Sequence, residues 1–255
     1  MKAESGTTGQ AEAVRRANRC FYDLVADSYE CLDGRRTPKV EGWLKANLAA
    51  LRKQSPGGNL LDLGTGGGLV TRCARGIFDL RVGVDASPLV LRGAGTDFDM
   101  GIAADAGLLP FQDGFFDAVT CFAVLHHLYD PEKVVAEAAR VLKPGGVFYS
   151  DHDMDRTFFL RFEPALRLYR RLRRPAEKYR RACPMITEEL YRLSEWKEDG
   201  IESGRLLLLL EAAGFSAEAS FHWFGLNAIT NALFGQRRRQ AGMAPPVAIR
   251  ARKKR

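Results

Sequence analysis

Residues 60–71 read LLDLGTGGGLVT, a short apolar run holding one aspartate, followed by four glycines within five positions. A run of this length feeding a glycine-rich turn and then a helix predicts a strand–turn–helix unit. Gly64, Gly66 and Gly68 carry no Cβ and tolerate positive φ, so a ligand can approach the main chain there. The spacing is G-x-G-x-G. The dinucleotide fingerprint G-x-G-x-x-G needs a third glycine where this chain has Leu69. Asp62 argues the same way: a carboxylate is repelled by a diphosphate and attracted by an ammonium, with about 4 kcal/mol for a 4 Å pair at an effective dielectric near 20.

Outward from the loop, short apolar runs alternate with helical stretches. Strands are expected at 59–64, 80–85, 100–105, 116–122 and 146–151, and helices near 67–77, 87–93 and 131–142. This alternation predicts an α/β fold, a parallel sheet covered on both faces by right-handed crossovers. Asp62, Asp85, Asp105 and Asp151 fall at or near the C-terminal edges of these strands, where open α/β sheets bind ligands. Asp85 fits the acid that accepts hydrogen bonds from a ribose diol, and Asp105 fits a partner for an exocyclic adenine amine. An adenosine ligand with an amino-acid arm would satisfy all three of Asp62, Asp85 and Asp105.

Before the loop, apolar residues at helical spacing predict amphipathic helices over about 11–33 and 39–53. Beyond it, residues 152 to about 200 break the strand–helix alternation. They are rich in Arg, Tyr and Phe, and the segment FFLRFEPALRLYRRL predicts an amphipathic helix in a cap over the crevice. A helix, a strand near 216–223 and a last strand near 246–253 follow, read as an antiparallel pair at the sheet edge. The resulting division is 1–55 as a helical cofactor-covering segment and 56–152 as the core cofactor-binding unit. The remainder is 153–200 as an inserted helical substrate cap and 201–255 as the helix and strands completing the sheet.

Composition narrows the function class. At 46% hydrophobic over 255 residues the chain can bury a large core. The longest purely apolar stretch, LLLLL at 206–210, is far below the roughly 20 residues of a spanning helix. The N-terminus MKAESGTTGQ lacks a signal peptide's apolar region, so a soluble cytoplasmic location is expected. Five cysteines show no CxxC pair or Cys/His ligand spacing, which predicts no metal site and no disulfide framework. The net charge of +7 is concentrated in 167–181, 236–240 and the terminal RARKKR, and suggests an anionic partner.

Four ordered stretches carry a family likeness: LLDLGTGGG, VGVDASP, AADAGLLPFQDGFFDAVTCFAVLHHLYDP and EAARVLKPGGVFYSD, with a weaker one in LLLLLEAAGFSAEA. On these the chain resembles the class I S-adenosylmethionine-dependent methyltransferases, in particular the small-molecule group that includes the ubiquinone and menaquinone methyltransferases. The resemblance covers roughly 59–151. It implies a Rossmann-like, mostly parallel seven-stranded sheet with helices on both faces and a reversed last strand, and S-adenosyl-L-methionine as cofactor. It also implies that Asp62, Gly64, Thr65, Gly66 and Gly68 hold the methionine end, Asp85 and Ala86 the ribose, and Asp105 and Ala106 the adenine. Cys121 and Phe122 would line the methionine side, and Tyr22 and Tyr29 would belong to a segment closing over the cofactor.

The implied reaction is an in-line methyl transfer to an O, N or C atom of a small, apolar or aromatic acceptor, in which positioning and exclusion of water supply much of the rate. A base is needed only where the acceptor loses a proton. His126, His127 and His152 are the candidates, since a near-neutral imidazole suits a phenol or enol. The chain has CFAVLHH where amine methyltransferases of nucleic acids carry an Asn-Pro-Pro-Tyr-like run, and only a reversed Cys183-Pro184. Both features disfavour a nucleic-acid acceptor. A nucleic-acid methyltransferase, and a non-catalytic cofactor- or partner-binding protein on the same fold, remain as alternatives. The cap's Phe158, Phe159, Phe162, Leu166 and Tyr169 suggest an apolar, aromatic or lipid-like acceptor, and its arginines a contact with an anionic group or, peripherally, with a membrane surface. The sequence leaves the oligomeric state open.

Overall fold

A computed structural model describes residues 2–34 and 36–255, with the side chains of 2–8, 33 and 228 outside the description. Seven strands form one sheet: β1 (Asn59–Leu63), β2 (Leu80–Asp85), β3 (Met100–Ala103), β4 (Phe116–Phe122), β5 (Leu142–Met154), β6 (Phe215–Phe221) and β7 (Pro246–Lys253), in the order β3-β2-β1-β4-β5-β7-β6. The pairs β1–β2, β2–β3, β1–β4 and β4–β5 are parallel, and β7 runs antiparallel to both β5 and β6. The chain leaves β1 for β2 on one side and returns for β4 on the other. That reversal opens a crevice above the C-terminal ends of β1 and β4.

Period-2 alternation sorts the strand side chains. Leu61 and Leu63 of β1 and Val119 and Cys121 of β4 face one core, while Leu60 and Ala118 face the other. The first face is covered by α6 (Pro131–Val141) and α11 (Ser203–Ala212), which bury Val134, Ala138, Leu206 and Leu210. The second is covered by α3 (Pro38–Gln54) and α4 (Leu69–Cys73). Helix α3 starts where Thr37 accepts a hydrogen bond from the Val40 amide and Pro38 supplies a preset φ. It buries Val40, Leu44, Leu48 and Leu51 at helical spacing. The short α5 (Pro88–Gly93) follows β2, capped by Ser87.

The N-terminal region differs from its expected single helix. Helix α1 (Lys2–Val25) buries Val14, Ala17, Phe21 and Val25 as the spacing requires, but a tight turn at Ala26–Ser28 separates it from α2 (Tyr29–Asp33).

Within 153–200 the strand β5 runs on to Met154, and four helices follow: α7 (Arg156–Arg161), α8 (Glu163–Arg173), α9 (Ala176–Ala182) and α10 (Glu188–Ser194). The stretch expected as one helix breaks at Phe162, because Pro164 has no amide to donate and is accommodated in the first turn of a new helix. Its aromatics also point elsewhere than expected. Phe158 and Phe159 are buried, with Phe158 edge-on to Trp223 and Phe159 under the Arg170 guanidinium at 4.9 Å, while α8 buries no residue. The insert's main apolar contact is with α1, where Ala176, Ile186 and Tyr191 pack with Phe21 and Val25.

Candidate functional site

The glycine loop sits at the sheet's switch point. Gly64 and Gly66 adopt φ of 63° and 52°, the left-handed region that excludes most side chains. A Cβ on Gly64 would meet Val124 at 2.5 Å, and one on Gly66 would meet the Tyr29 hydroxyl at 2.9 Å. The bare backbone therefore forms a cradle whose walls are already at contact distance.

Above the cradle lies a cleft of about 850 Å³, within the range of small-molecule sites. Gly64, Gly66, Asp85, Ala86, Asp105, Ala106, Phe122, Tyr22, Tyr29 and His127 all line it. Thr65, Gly68, Asp62, Cys121, His126 and His152 are outside its lining.

Asp85 is anchored at the loop. Its two carboxylate oxygens accept the Gly66 and Ser87 amides, each at 2.9 Å. Burial pushes its carboxyl up from the ordinary value, and these two amides pull it back down. Each oxygen retains acceptor capacity for a diol. Asp105, just past β3, is exposed and accepts the Gly107 amide at 2.7 Å. Its other oxygen lies 3.6 Å from Arg15.

Asp62 is the exception among the carboxylates. Strand alternation turns it to the α3/α4 face, where it is 1% exposed and accepts a hydrogen bond from Thr120 Oγ1 at 2.7 Å. Burial raises its pKa to about 7, against the lowering effect of that hydrogen bond. It supports the loop from below instead of facing the cleft. Cys121 points into the opposite core by the same alternation, and burial holds its thiol well above the usual range.

Helix α1 closes the cleft from above, tied to both rims. On one side Ser87 Oγ donates to Asp23 at 2.6 Å. On the other, Asn18 Nδ2 donates to the His127 carbonyl at 3.0 Å, and the Tyr22 hydroxyl lies 2.8 Å from His127 Nε2. His127 Nδ1 is 2.6 Å from the Ser194 carbonyl, so Nδ1 carries the proton and Nε2 accepts from Tyr22. Burial, reinforced by His126, pushes the His127 pKa down to about 4. The ring is neutral and both nitrogens are engaged.

His126 serves the same turn from the other side. Its Nδ1 is 2.6 Å from Asp153 and its Nε2 3.5 Å from Glu195. His152 sits at positive φ, 67°, with a side chain only 3% exposed, packed 4.5 Å from the Phe122 ring that separates it from the cleft. His126, His127 and Glu195 form one cluster of ligand-type side chains, and Asp151, His152 and His222 another.

Reading the sequence missed two contributions. The segment 122–134 lines one whole wall of the cleft with Val124, Leu128, Asp130 and Lys133, and α1 adds Arg15 and Arg19. Arg36 lies beside the loop, 2.3 Å from where a Gly67 Cβ would stand, with one terminal nitrogen 2.9 Å from Glu30 Oε1 and a buried Nε that has no hydrogen-bond partner. A guanidinium at a backbone cradle, with donors beyond the one that meets Glu30, fits the carboxylate of an amino-acid arm. The signal available in sequence was only the Arg-Arg pair at 35–36 between two helices. None of residues 153–200 lines the cleft, so the expected substrate cap does not supply its walls.

Residues 61–150 match a family model described as a methyltransferase domain. A ubiquinone biosynthesis O-methyltransferase of Thiobacillus denitrificans is 36% identical over 115 residues, covering 42% of this chain and 50% of that protein. The chain thus spans about half the length of the curated relatives it matches. Among solved structures, a SAM-dependent methyltransferase from Thermotoga maritima superposes with a TM-score of 0.61 at 19% identity, over 92% of this chain and 99% of that one. The 4+2 cyclase SpnF does so with a TM-score of 0.58 at 20% identity, over 94% and 97%. These two likenesses concern the fold. Residues 61–150 thus match a methyltransferase domain, and the sheet order and the solved structures give the chain the fold of S-adenosylmethionine-dependent methyltransferases, a domain and fold that imply that cofactor.

Proposed function

We propose that the protein transfers a methyl group from S-adenosylmethionine to a small apolar or aromatic acceptor, with a hydroxyl oxygen as the receiving atom. The carrying observation is the cradle: Gly64 and Gly66 at positive φ under a cleft, with Asp85 fixed by the Gly66 amide. Asp85 would receive the ribose hydroxyls, the exposed Asp105 the adenine amine, and Arg36 the methionine carboxylate. The oxygen acceptor follows the O-methyltransferase activity of the ubiquinone-biosynthesis relatives, and the apolar character follows Phe122, Val124 and Leu128 in the wall.

Bound, the cofactor supplies an electrophilic methyl. The chain's share is to orient both reactants in line and exclude water under α1. His127 is a positioning residue in this scheme, since both ring nitrogens are engaged and its pKa of about 4 makes it a weak base. His126 and His152 stand off the cleft lining and hold the 125–127 turn and the end of β5.

The test is calorimetry with demethylated cofactor on the parent and Asp85→Ala, followed by methyl transfer from labelled cofactor to a panel of phenols. Cofactor binding with labelled phenol ethers supports the reading. Tight cofactor binding without transfer to any panel member or cell extract would favour a binding protein on the same fold, an option that SpnF's different chemistry illustrates.

A specific observation favours a second property, contact with an anionic membrane surface. Helix α8 buries nothing and exposes Leu168, Tyr169 and Leu172 among Arg167, Arg171 and Arg173. Apolar side chains rimmed by arginines suit the headgroup boundary. No described helix is long and apolar enough to cross a membrane. Co-sedimentation with phosphatidylglycerol vesicles but not phosphatidylcholine vesicles, reduced in an Arg167/Arg171/Arg173→Gln variant, is the expected result.

A further inference from the structure

Asp151 closes the core at the end of β5, fully buried on the α3 side of the sheet. Its Oδ2 accepts hydrogen bonds from Trp43 Nε1 at 2.9 Å and from the Tyr149 hydroxyl. Its Oδ1 accepts the His152 amide at 2.7 Å and faces two imidazoles, His222 Nε2 at 2.8 Å and His152 Nδ1 at 3.0 Å. The side chains of His152 and His222 are each 3% exposed. His152 Nε2 and His222 Nδ1, both buried, have no hydrogen-bond partner. Buried polar atoms left this way are costly unless a water or an ion satisfies them.

We propose that Asp151, His152 and His222 bind a borderline divalent cation of the zinc, iron(II) or cobalt(II) class at a site apart from the cofactor cleft. The donor set decides the class. Two imidazole nitrogens and one carboxylate oxygen suit these ions, whereas magnesium and calcium favour all-oxygen sites. One ligand atom from each side chain lies within 4.8 Å of the others. Trp43 and Tyr149 occupy Oδ2, and Oδ1 keeps the His152 amide on one lone pair and offers the other to the ion, the outer hydrogen bonding that orients metal-bound carboxylates.

The space is also specific. Gly225 lies against the His152 ring, and a Cβ there would fall 2.1 Å from Nε2. With bonds of about 2.0–2.1 Å in a tetrahedral arrangement, ligand atoms stand about 3.3 Å apart. The rings at 2.8 and 3.0 Å from Oδ1 therefore step back by a few tenths of an ångström, and any proton that His222 Nε2 or His152 Nδ1 holds toward Oδ1 moves to the other nitrogen of the same ring or to solvent.

The neighbouring cluster of His126, His127 and Glu195 is the weaker candidate, because both nitrogens of His127 are already engaged. The proposed ion is structural. Phe122 lies between His152 and the cleft, and the ligands join the end of β5 to the connection that follows β6, across the intervening β7.

The experiment is titration of chelator-treated full-length protein with Zn²⁺, followed by calorimetry and elemental analysis. One zinc per chain is expected, with affinity reduced at least about 100-fold in His152→Ala and in His222→Ala and unchanged within about twofold in His126→Ala. The cofactor affinity of each variant, measured in parallel, reports whether it has folded. Should either variant fail to fold, proton NMR of the parent decides, because the chain has only four histidines. Zinc that shifts the ring signals of His152 and His222 and leaves those of His126 and His127 supports the site. Absence of stoichiometric uptake, shifts confined to His126 and His127, or binding lost in His126→Ala alone would overturn it.

Discussion

The Tyr22 hydroxyl lies 2.8 Å from His127 Nε2, and this contact joins the helix that covers the cleft to the turn that walls it. His127 in turn holds the Ser194 carbonyl, so one imidazole links α1, the 125–127 turn and the end of α10. Tyr22→Phe removes the donor while keeping the ring, and should weaken cofactor binding by about 0.5–1.5 kcal/mol. Stopped-flow dissociation of demethylated cofactor should place the loss in a faster off-rate. An unchanged off-rate would mean that α1 is held by its other ties.

The same imidazole sets an acid limit. Its folded pKa of about 4 lies below the unfolded value near 6.5, so the unfolded chain binds more protons between these values. This stability is fully present above about pH 6.5 and is lost as pH falls through about 4, to a total of roughly 3 kcal/mol. His127→Gln should flatten the melting-temperature profile across that window.

Asp62 has the opposite sign. Its carboxyl is raised from 3.8 to about 7 in the folded chain, so the folded state holds the extra proton and stability falls as pH rises from about 4 to 7. The full penalty is about 4 kcal/mol. Asp62→Asn keeps an acceptor for Thr120 Oγ1 and removes the penalty. The variant should melt higher than the parent at pH 8 and equally at pH 4. A pH-independent difference would show that Asp62 does not titrate with folding.

Asp85→Ala should cost cofactor affinity about 1–3 kcal/mol, as charge-assisted hydrogen bonds to the ribose disappear. Arg36→Ala should cost a similar amount, and Arg36→Lys should recover only part, because a point charge replaces a fork of donors. Calorimetry on the three variants checks both. Full affinity in Arg36→Ala would remove the guanidinium from the site.

Phe159→Ala separates the insert from the cleft. The side chain is 1% exposed, so truncation should destabilise the chain by about 3–5 kcal/mol. Cofactor affinity, measured well below the new melting point, should stay within about twofold. A loss of affinity there would give the insert a direct hold on the cofactor.

The sequence made the sheet legible because its signals are local. Strand–helix alternation placed β1, β2 and β4 to within a residue, and the glycines marked the crevice. Which side chains face that crevice depends on strand parity and on long-range packing. Asp62 and Asp85 read alike along the chain, yet one lies beneath the loop and the other on the cleft wall. The insert was misplaced for a related reason. Its aromatic stripe announces an apolar face without naming the partner, and the partners are Trp223, Arg170 and α1. The Asp151, His152 and His222 cluster joins residues about 70 positions apart, a separation that no spacing motif covers.

Strand β7 is the last of the seven in the chain but lies between β5 and β6. During synthesis β6 emerges with no neighbour to pair with, and β5 keeps a bare edge until residues 246–253 arrive. The right-hand part of the sheet thus assembles in one late step, like a zip whose slider is its final piece. A ribosome-stalled chain ending before Pro246 should present an open β5 edge to chaperones or to other nascent copies, and adding β7 as a separate peptide should close it.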